Sequence, residues 1–203
     1  MKDKPWFAVV YMFVMTAFAS SILIGFSRLT RSRVEANAQL QFERAVVQVF
    51  PDIRFQHDEQ IHRIFTQQFE KDPRSGAFRF LKDGRLAGYA VPFSGQGFWD
   101  KIEGVIGVAA DRRTITGIAF YRQNETPGLG ARIEEEEFRS QFAGKRLAES
   151  PILLEIVPSA QPLGPNSVHA VTGATQTSDR LQILLNANLH TWLEAVSNEG
   201  EAQ

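Results

Sequence analysis

The fold is decided by residues 77–93, AFRFLKDGRLAGYAVPF. This stretch holds two segments rich in aromatic and branched side chains, residues 77–82 and 85–93, which flank Asp83-Gly84. An Asp-Gly pair between two such segments favours a two-residue turn, because both positions accept a positive φ angle. The stretch therefore predicts an antiparallel β-hairpin.

A second pair of strands is predicted after this hairpin. Residues 105–109 and 114–121 are apolar segments, and the charged segment 111–113 between them favours a turn. Further along the chain, residues 134–142 favour a short charged helix and residues 152–157 favour another strand.

Helices are predicted before and after the strands. Residues 34–50 have apolar side chains at helical spacing, and Pro51 closes this helix. A longer helix is predicted from about Asp179 to Val196, with Ser178 as its N-cap and Asp179 complementing the helix dipole. Its apolar face consists of Leu181, Leu184, Leu185, Leu189, Trp192, Leu193 and Val196. The order of these elements predicts the α+β fold class.

The N-terminus resembles a membrane anchor. Residues 5–27, PWFAVVYMFVMTAFASSILIGFS, contain no charged side chain and are long enough for a helix to cross the hydrocarbon core. A cleaved secretory signal with its small-residue site at Ala17-Phe18-Ala19 is the alternative. The apolar run continues past that site through residues 22–24, which favours a retained helix.

The charges that flank this segment bear on its orientation. Arg28, Arg31 and Arg33 follow it, whereas Lys2 and Lys4 precede it. The excess of one positive charge on the C-terminal side alone would leave the large domain in the cytoplasm.

Composition excludes several functional classes. The chain of 203 residues has no cysteine, so it has no disulfide, iron–sulfur cluster or thiolate zinc site. Its four histidines include no pair at the spacing of a zinc protease. The formal net charge of −1 gives no support for a nucleic-acid partner.

Three glycine-bearing segments contain the candidate functional residues. These segments are 94–100, SGQGFWD; 125–130, ETPGLG; and 172–178, TGATQTS. The third precedes the C-terminal helix, where free backbone N–H groups and the positive end of the helix dipole suit a phosphate. The alternative for this segment is a simple helix cap, and for the first two it is ordinary turns between strands.

These segments resemble a known family. Residues 168–175, VHAVTGAT, resemble the attachment motif of the FMN-binding domain family, whose usual form is Asp-x-x-(Ser/Thr)-Gly-Ala-Thr. Residues 125–130 look like a second signature of that family, and residues 97–99, GFW, are similar to a third. All three appear in the family's order, and the resemblance covers roughly residues 88–196.

The resemblance implies a covalent flavin. The final threonine of the motif, Thr175, would carry FMN through a phosphoester that a flavin transferase installs from FAD, and residues 125–130 would border the isoalloxazine ring. The implied flavin-binding residues are Trp99, Glu125, Thr126, Gly128, Leu129, Thr172, Gly173, Ala174, Thr175 and Thr177. Glu125 is either a proton donor to the flavin or a turn-capping or solvated carboxylate. The first position of the motif departs from the family, because His169 stands where Asp is usual.

The anchor and the length are similar to those of flavoprotein subunits of ion-pumping respiratory complexes, of the sodium-pumping NADH:quinone reductase and Rnf types. This similarity implies an electron relay between other membrane subunits, single-pass in the bacterial inner membrane, with its flavin domain on the periplasmic face. The corresponding divisions are a transmembrane anchor (1–30), a helical connecting region (31–75) and an FMN-binding domain (76–203). The alternatives are a membrane-tethered FMN-binding sensor or regulatory module and a flavin-free assembly subunit.

Overall fold

The computed structural model of the protein describes residues 5–198. Four α-helices and seven β-strands are present in this part of the chain, with one short 3₁₀-helix on each side of the third α-helix. The α-helices are α1 (Pro5–Gln48), α2 (Asp58–Gln68), α3 (Glu136–Arg139) and α4 (Thr175–Ser197). The strands are β1 (Phe69–Lys71), β2 (Phe78–Lys82), β3 (Arg85–Gln96), β4 (Lys101–Ala109), β5 (Ile115–Arg122), β6 (Glu155–Val157) and β7 (Ser167–His169).

Helix α1 contains the apolar segment of the sequence. Starting at Trp6 it is long and apolar enough to cross a membrane, and no part of its most apolar 18-residue window is buried. Secretory signal sequences share this length and composition. By its internal contacts the chain divides after Gln39, so that the last nine residues of α1 belong to the folded unit that begins at Leu40.

Two helical predictions need correction. The apolar segment and the helix predicted for residues 34–50 form a single continuous helix, which ends at Gln48 ahead of Pro51. The three arginines between the two segments are good helix formers, so the polar interruption does not end the helix. Helix α2 and strand β1 occupy residues 58–71, for which the sequence made no clear prediction.

The strands β1 to β5 form one antiparallel sheet in sequence order. The predicted hairpin is confirmed, because β2 and β3 pair with Lys82 opposite Arg85. Asp83 and Gly84 have φ angles of 52° and 74°, as the turn requires. The second predicted pair corresponds to β4 and β5. Together with the helices, this sheet confirms the α+β class.

One face of the sheet packs against α4. The buried stripe of this helix meets the apolar side chains of β3, β4 and β5, and Tyr89 contacts Trp192 with ring centroids 5.3 Å apart. The predicted start of the helix is wrong, because α4 begins at Thr175. Ser178 lies inside the helix and is 1% exposed, and its hydroxyl accepts a hydrogen bond from the N–H of Val171 (3.2 Å). It therefore cannot cap the first turn.

The opposite face packs against α2 and the end of α1, through an apolar cluster rich in phenylalanine. The backbone at Val49 approaches the sheet closely here, where Gly107 of β4 lies opposite Gly117 of β5. A hydrogen bond from the Thr116 hydroxyl to the carbonyl of Val49 (2.6 Å) fixes this contact. The two glycines leave the space that the backbone fills.

We expect Gly107→Ala to destabilise the folded unit by about 1–3 kcal/mol, because overpacking of a closely fitted interior forces the backbone to shift. A Cβ atom at this position would lie 2.2 Å from the Thr116 hydroxyl oxygen and 2.8 Å from the Val49 carbonyl oxygen. The measurement is thermal unfolding of the full chain in detergent. The control is Gly164→Ala, whose Cβ would meet no atom closer than 3.5 Å and should change stability by less than about 0.5 kcal/mol.

Candidate functional site

The first two glycine-bearing segments leave the sheet at the same end. Residues 97–100 connect β3 to β4, and residues 123–130 follow β5. Because β4 and β5 are antiparallel, with Glu103 opposite Arg122, the start of β4 and the end of β5 lie side by side. The third segment, residues 172–174, leads into α4 at the same place, as the contacts of Glu125 show.

Glu125 joins the three segments through its carboxylate. Its Oε1 accepts hydrogen bonds from the backbone N–H groups of Phe98 (2.8 Å) and Trp99 (3.1 Å). Its Oε2 accepts a hydrogen bond from the hydroxyl of Thr177 (2.8 Å). Glu125 and Thr177 are 5% and 3% exposed. A single buried side chain therefore holds both loops and the first turn of α4 together.

Two glycines make room for this carboxylate. A Cβ atom on Gly97 would lie 2.5 Å from Oε1 of Glu125, and one on Gly130 would lie 2.6 Å from the Thr177 hydroxyl oxygen. Both glycines are buried, and neither has a positive φ angle. Their role is thus close approach to the carboxylate rather than a special backbone conformation.

A second contact ties the first two loops together at the surface. Asp100 accepts hydrogen bonds from the side-chain amide of Asn124 (2.5 Å) and from the N–H of Lys101 (2.7 Å). These two hydrogen bonds, led by that of Asn124, hold the pKa of Asp100 below its usual value. Nothing in the spacing of Asp100 and Asn124 along the sequence indicates that they meet.

Thr175 is the first residue of α4 and is exposed. Its hydroxyl has no hydrogen-bond partner among the described residues. The first N–H group of α4 to reach a carbonyl one turn back is that of Ser178, which donates to Ala174 (3.0 Å). The N–H groups of residues 175–177 therefore have no partner within the helix, and a phosphate on Thr175 would lie beside them.

The loop before Thr175 is closely packed on its inner side only. Ala174 is buried, and its N–H donates to the carbonyl of Val171 (3.0 Å), whereas Thr172 and Gly173 are exposed. Gly173 has a φ angle of 79°, which favours glycine. The side chain of Leu129 lies 3.4 Å from the place that a Cβ atom on Gly173 would occupy, so the second and third segments also meet at the surface.

The rest of the site is apolar and exposed. Phe98, Trp99 and Leu129 are 44%, 66% and 46% exposed, and the rings of Phe98 and Trp99 lie 5.0 Å apart. Gly128 has a φ angle of 73°, and the carbonyl of Thr126 accepts hydrogen bonds from the N–H groups of Leu129 and Ala131 (both 3.1 Å). The 125–130 loop thus has its own turn, which holds Leu129 outward.

His169 lies at the end of β7, beside a groove of about 420 Å³ that extends to Thr172. Its backbone N–H donates to the side-chain oxygen of Gln141 (2.8 Å). Its Nε2 lies 3.0 Å from the carbonyl oxygen of Gln161, so Nε2 is the donor of this hydrogen bond. The residue that departs from the family motif is therefore hydrogen-bonded within the fold.

The predicted site residues fall into two sets. The exposed set, which is accessible to a flavin, is Trp99, Thr126, Gly128, Leu129, Thr172, Gly173 and Thr175. The buried set, which shapes the site from within, is Glu125, Ala174 and Thr177. In residues 5–198, no group of three or more His, Asp or Glu side chains is arranged to hold a metal ion. The chemistry of the exposed set fits an FMN, since it offers a free hydroxyl, unpaired N–H groups and an apolar surface.

Comparison with known proteins supports the resemblance. Residues 97–190 match the FMN-binding domain family. The chain is 34% identical over 112 residues to the C subunit of the Na(+)-translocating NADH-quinone reductase of Pasteurella multocida, an alignment that covers 54% of this chain and 42% of that protein. It is 33% identical over 103 residues to the C subunit of the same reductase from Neisseria meningitidis, covering 50% of this chain and 40% of the relative. The chain thus spans less than half the length of these curated relatives.

Solved structures share the fold. The C subunit of the Na(+)-translocating NADH-quinone reductase from Parabacteroides distasonis aligns with a TM-score of 0.67 at 21% identity, over 79% of this chain and 94% of that one. NqrC of Shewanella oneidensis aligns with a TM-score of 0.70, also at 21% identity, over 84% of this chain and 100% of that one. At this identity the likeness establishes the architecture.

We expect Thr177→Val to destabilise the flavin-free protein by about 1–3 kcal/mol, because it removes a hydrogen-bond donor from a buried carboxylate at nearly constant side-chain volume. Thermal unfolding in detergent measures the change. The matched control is Thr172→Val, which alters an exposed threonine in the same segment and should shift stability by less than about 0.5 kcal/mol. Equal stability of the two variants would contradict the role given to the Thr177 hydroxyl.

Proposed function

We propose that the chain is a membrane-anchored flavoprotein subunit that carries FMN covalently on Thr175 and relays electrons within a sodium-pumping NADH:quinone reductase type of complex. The observation that carries the proposal is the free, exposed hydroxyl of Thr175 at the first position of α4, inside the segment that matches the FMN-binding domain family. The similarity to the C subunits of this reductase supports this type of complex over the Rnf type.

Attachment of FMN replaces the O–H bond of the Thr175 hydroxyl with an O–P bond. The hydroxyl oxygen forms a bond to the phosphorus of the FMN portion of FAD, AMP leaves, and the hydroxyl proton is released. The enzyme for this step is a flavin transferase, as the family resemblance implies. The resulting phosphate lies beside the free N–H groups of residues 175–177, where the positive end of the α4 dipole stabilises negative charge.

The bound flavin supplies reversible uptake of electrons. The residues of this chain would place it and limit its contact with water. Phe98, Trp99 and Leu129 give an exposed apolar surface, and the side chain of Leu129 lies 3.4 Å from the place that a Cβ atom on Gly173 would occupy, two residues before Thr175. Glu125 keeps the loops that bear these side chains in position. A phosphoester tether leaves the ring system free, so the loops rather than the bond determine its orientation.

The partners in this proposal are other membrane subunits, which deliver electrons to the flavin and accept them from it. The relatives are named as subunits of a translocating reductase, which supports such partners. We retain the divisions into an anchor (1–30), a helical connecting region (31–75) and a flavin domain (76–203) along the sequence. In the fold, the connecting region contributes the end of α1, α2 and β1 to the same folded unit as the flavin domain. The similarity to subunits of a translocating reductase favours this proposal over a sensor module, whereas His169 in place of the motif Asp is the one feature that points to a flavin-free assembly subunit.

We propose a retained single-pass anchor in the bacterial inner membrane, with the flavin domain on the periplasmic face. The charge bias across the apolar segment is one residue, Lys2 and Lys4 against three arginines, and long domains translocate largely regardless of flanking charge. The retained helix is supported by the apolar run, which continues past the candidate cleavage site at residue 19 through residues 22–24.

The attachment site is tested by mass spectrometry of the full chain co-expressed with its flavin transferase. We expect a mass increase of one FMN phosphoester on the peptide that contains Thr175, and flavin fluorescence that survives denaturation. Thr175→Ala should abolish both, because no nucleophile remains at the first position of α4. Flavin retained covalently in this variant would refute the assignment.

Two variants control this experiment. Thr191→Ala removes an exposed hydroxyl from α4 outside the motif and should keep the mass increase on Thr175. Thr177→Ala is a poorer control, because it also removes the hydrogen bond to Glu125. If Thr175→Ala unfolds at the same temperature as the flavin-free wild-type protein, the loss of flavin in this variant does not reflect a loss of fold.

The membrane face is tested by cysteine labelling, for which the absence of native cysteine is an advantage. Ser197→Cys places a thiol on an exposed residue at the end of α4, and Lys4→Cys places one before the apolar segment. In intact spheroplasts we expect a membrane-impermeant maleimide to label the first variant and not the second, because the span separates the two positions. The opposite pattern would place the flavin domain in the cytoplasm.

A further inference from the structure

The carboxylate of Glu125 is a buried charge without a cation. Its side chain contacts two backbone N–H groups and one hydroxyl, and no Lys, Arg or His among the described residues forms an ion pair with it. All three contacts donate a hydrogen to it. The carboxylate therefore acts as a hydrogen-bond acceptor in each of these contacts.

The other carboxylates of this region differ in their surroundings. Glu103 is partly buried but pairs with Lys101 (2.5 Å) and lies 3.8 Å from Arg122, so cations offset its charge. Asp100 is exposed, and water screens it. Of these three carboxylates, Glu125 is therefore the one that is neither paired with a cation nor exposed to water.

We propose that the charge of Glu125 lowers the reduction potential of the flavin on Thr175. This inference rests on the proposed function. Each electron that enters the flavin adds one negative charge until a proton from solvent follows it, and a fixed anion nearby opposes that change. The opposition is strong where water is excluded, because the effective dielectric constant is then far below that of water.

The geometry places this charge close to the tether. Oε2 of Glu125 is hydrogen-bonded to Thr177, two residues after the attachment position, and Oε1 is hydrogen-bonded to the backbone of the loop that bears the exposed Phe98 and Trp99 side chains. A flavin on Thr175 that lies against these side chains remains within reach of the field of the carboxylate. Glu125 thus positions the loops and also biases the flavin toward its oxidised form.

The test is the midpoint potential of the flavin-loaded full chain, in the wild type and in Glu125→Gln. Glutamine has the same shape, its amide oxygen can accept both N–H bonds, and its amide nitrogen can donate to the Thr177 hydroxyl oxygen. The variant therefore removes the charge and keeps the contacts. We expect the midpoint potential of Glu125→Gln to be higher than that of the wild type by about 59 mV, which corresponds to a tenfold change in the equilibrium constant of a one-electron couple.

Asp100→Asn is the matched control, because it removes the same charge from an exposed position in the neighbouring loop and should leave the potential near the wild-type value. Glu125→Asp retains the charge but shortens the side chain, so its potential should also stay near that of the wild type. A rise in Glu125→Asp equal to that in Glu125→Gln would show a purely structural effect and overturn the inference.

The outcomes separate this inference from the proposed function. A wild-type chain without flavin on Thr175 refutes the proposed function, and the inference falls with it. Loaded Glu125→Gln with an unchanged potential refutes the inference alone. If Glu125→Gln does not load flavin, Thr177→Val decides instead, because it keeps the charge and removes a donor that offsets it. Its potential should fall, and an unchanged or higher value would overturn the inference.

Discussion

The five-stranded sheet has apolar side chains on both faces, and this constraint governs the rest of the fold. Antiparallel sheets often leave one face to solvent, but here the strands β3 to β5 alternate between two buried sets. One set is covered by α4 and the other by α2 and the end of α1. The residues at the C-terminal end of α1 are therefore part of the core of the folded unit.

The same constraint assembles the candidate site. Once α4 covers the sheet, its first turn meets the loops that leave the sheet beside the start of β4. The apolar stripe of α4 supplies the packing that holds it there, since each buried leucine contributes roughly 1.5–3 kcal/mol. The three glycine-bearing segments, which are far apart in sequence, are then joined to one another by the carboxylate of Glu125.

The sequence predicted those elements whose signals are local. The hairpin at Asp83-Gly84 and the apolar face of α4 follow from turn chemistry and from periodicity. The predicted start of α4 was wrong because serine is a residue type that often caps helices, whereas the hydroxyl of Ser178 accepts a hydrogen bond from the N–H of Val171 in the fold. The structural role of Glu125 depends on residues 26, 27 and 52 positions away, and no spacing rule indicates such contacts.

The Glu125 carboxylate, which is bound to Thr177 in the first turn of α4, gives a physical reason why Thr175, rather than Thr177, suits a phosphate. Both hydroxyls lie in the first turn, near the positive end of the helix dipole. Thr177 faces inward, where its oxygen is already bound to the Glu125 carboxylate, and a phosphate there would bring a second anion into the same buried space. Thr175 is exposed to water, so a phosphate on its hydroxyl could be stabilised both by the free N–H groups of the first turn and by solvent. The helix end can then stabilise two anions because one lies inside and the other outside.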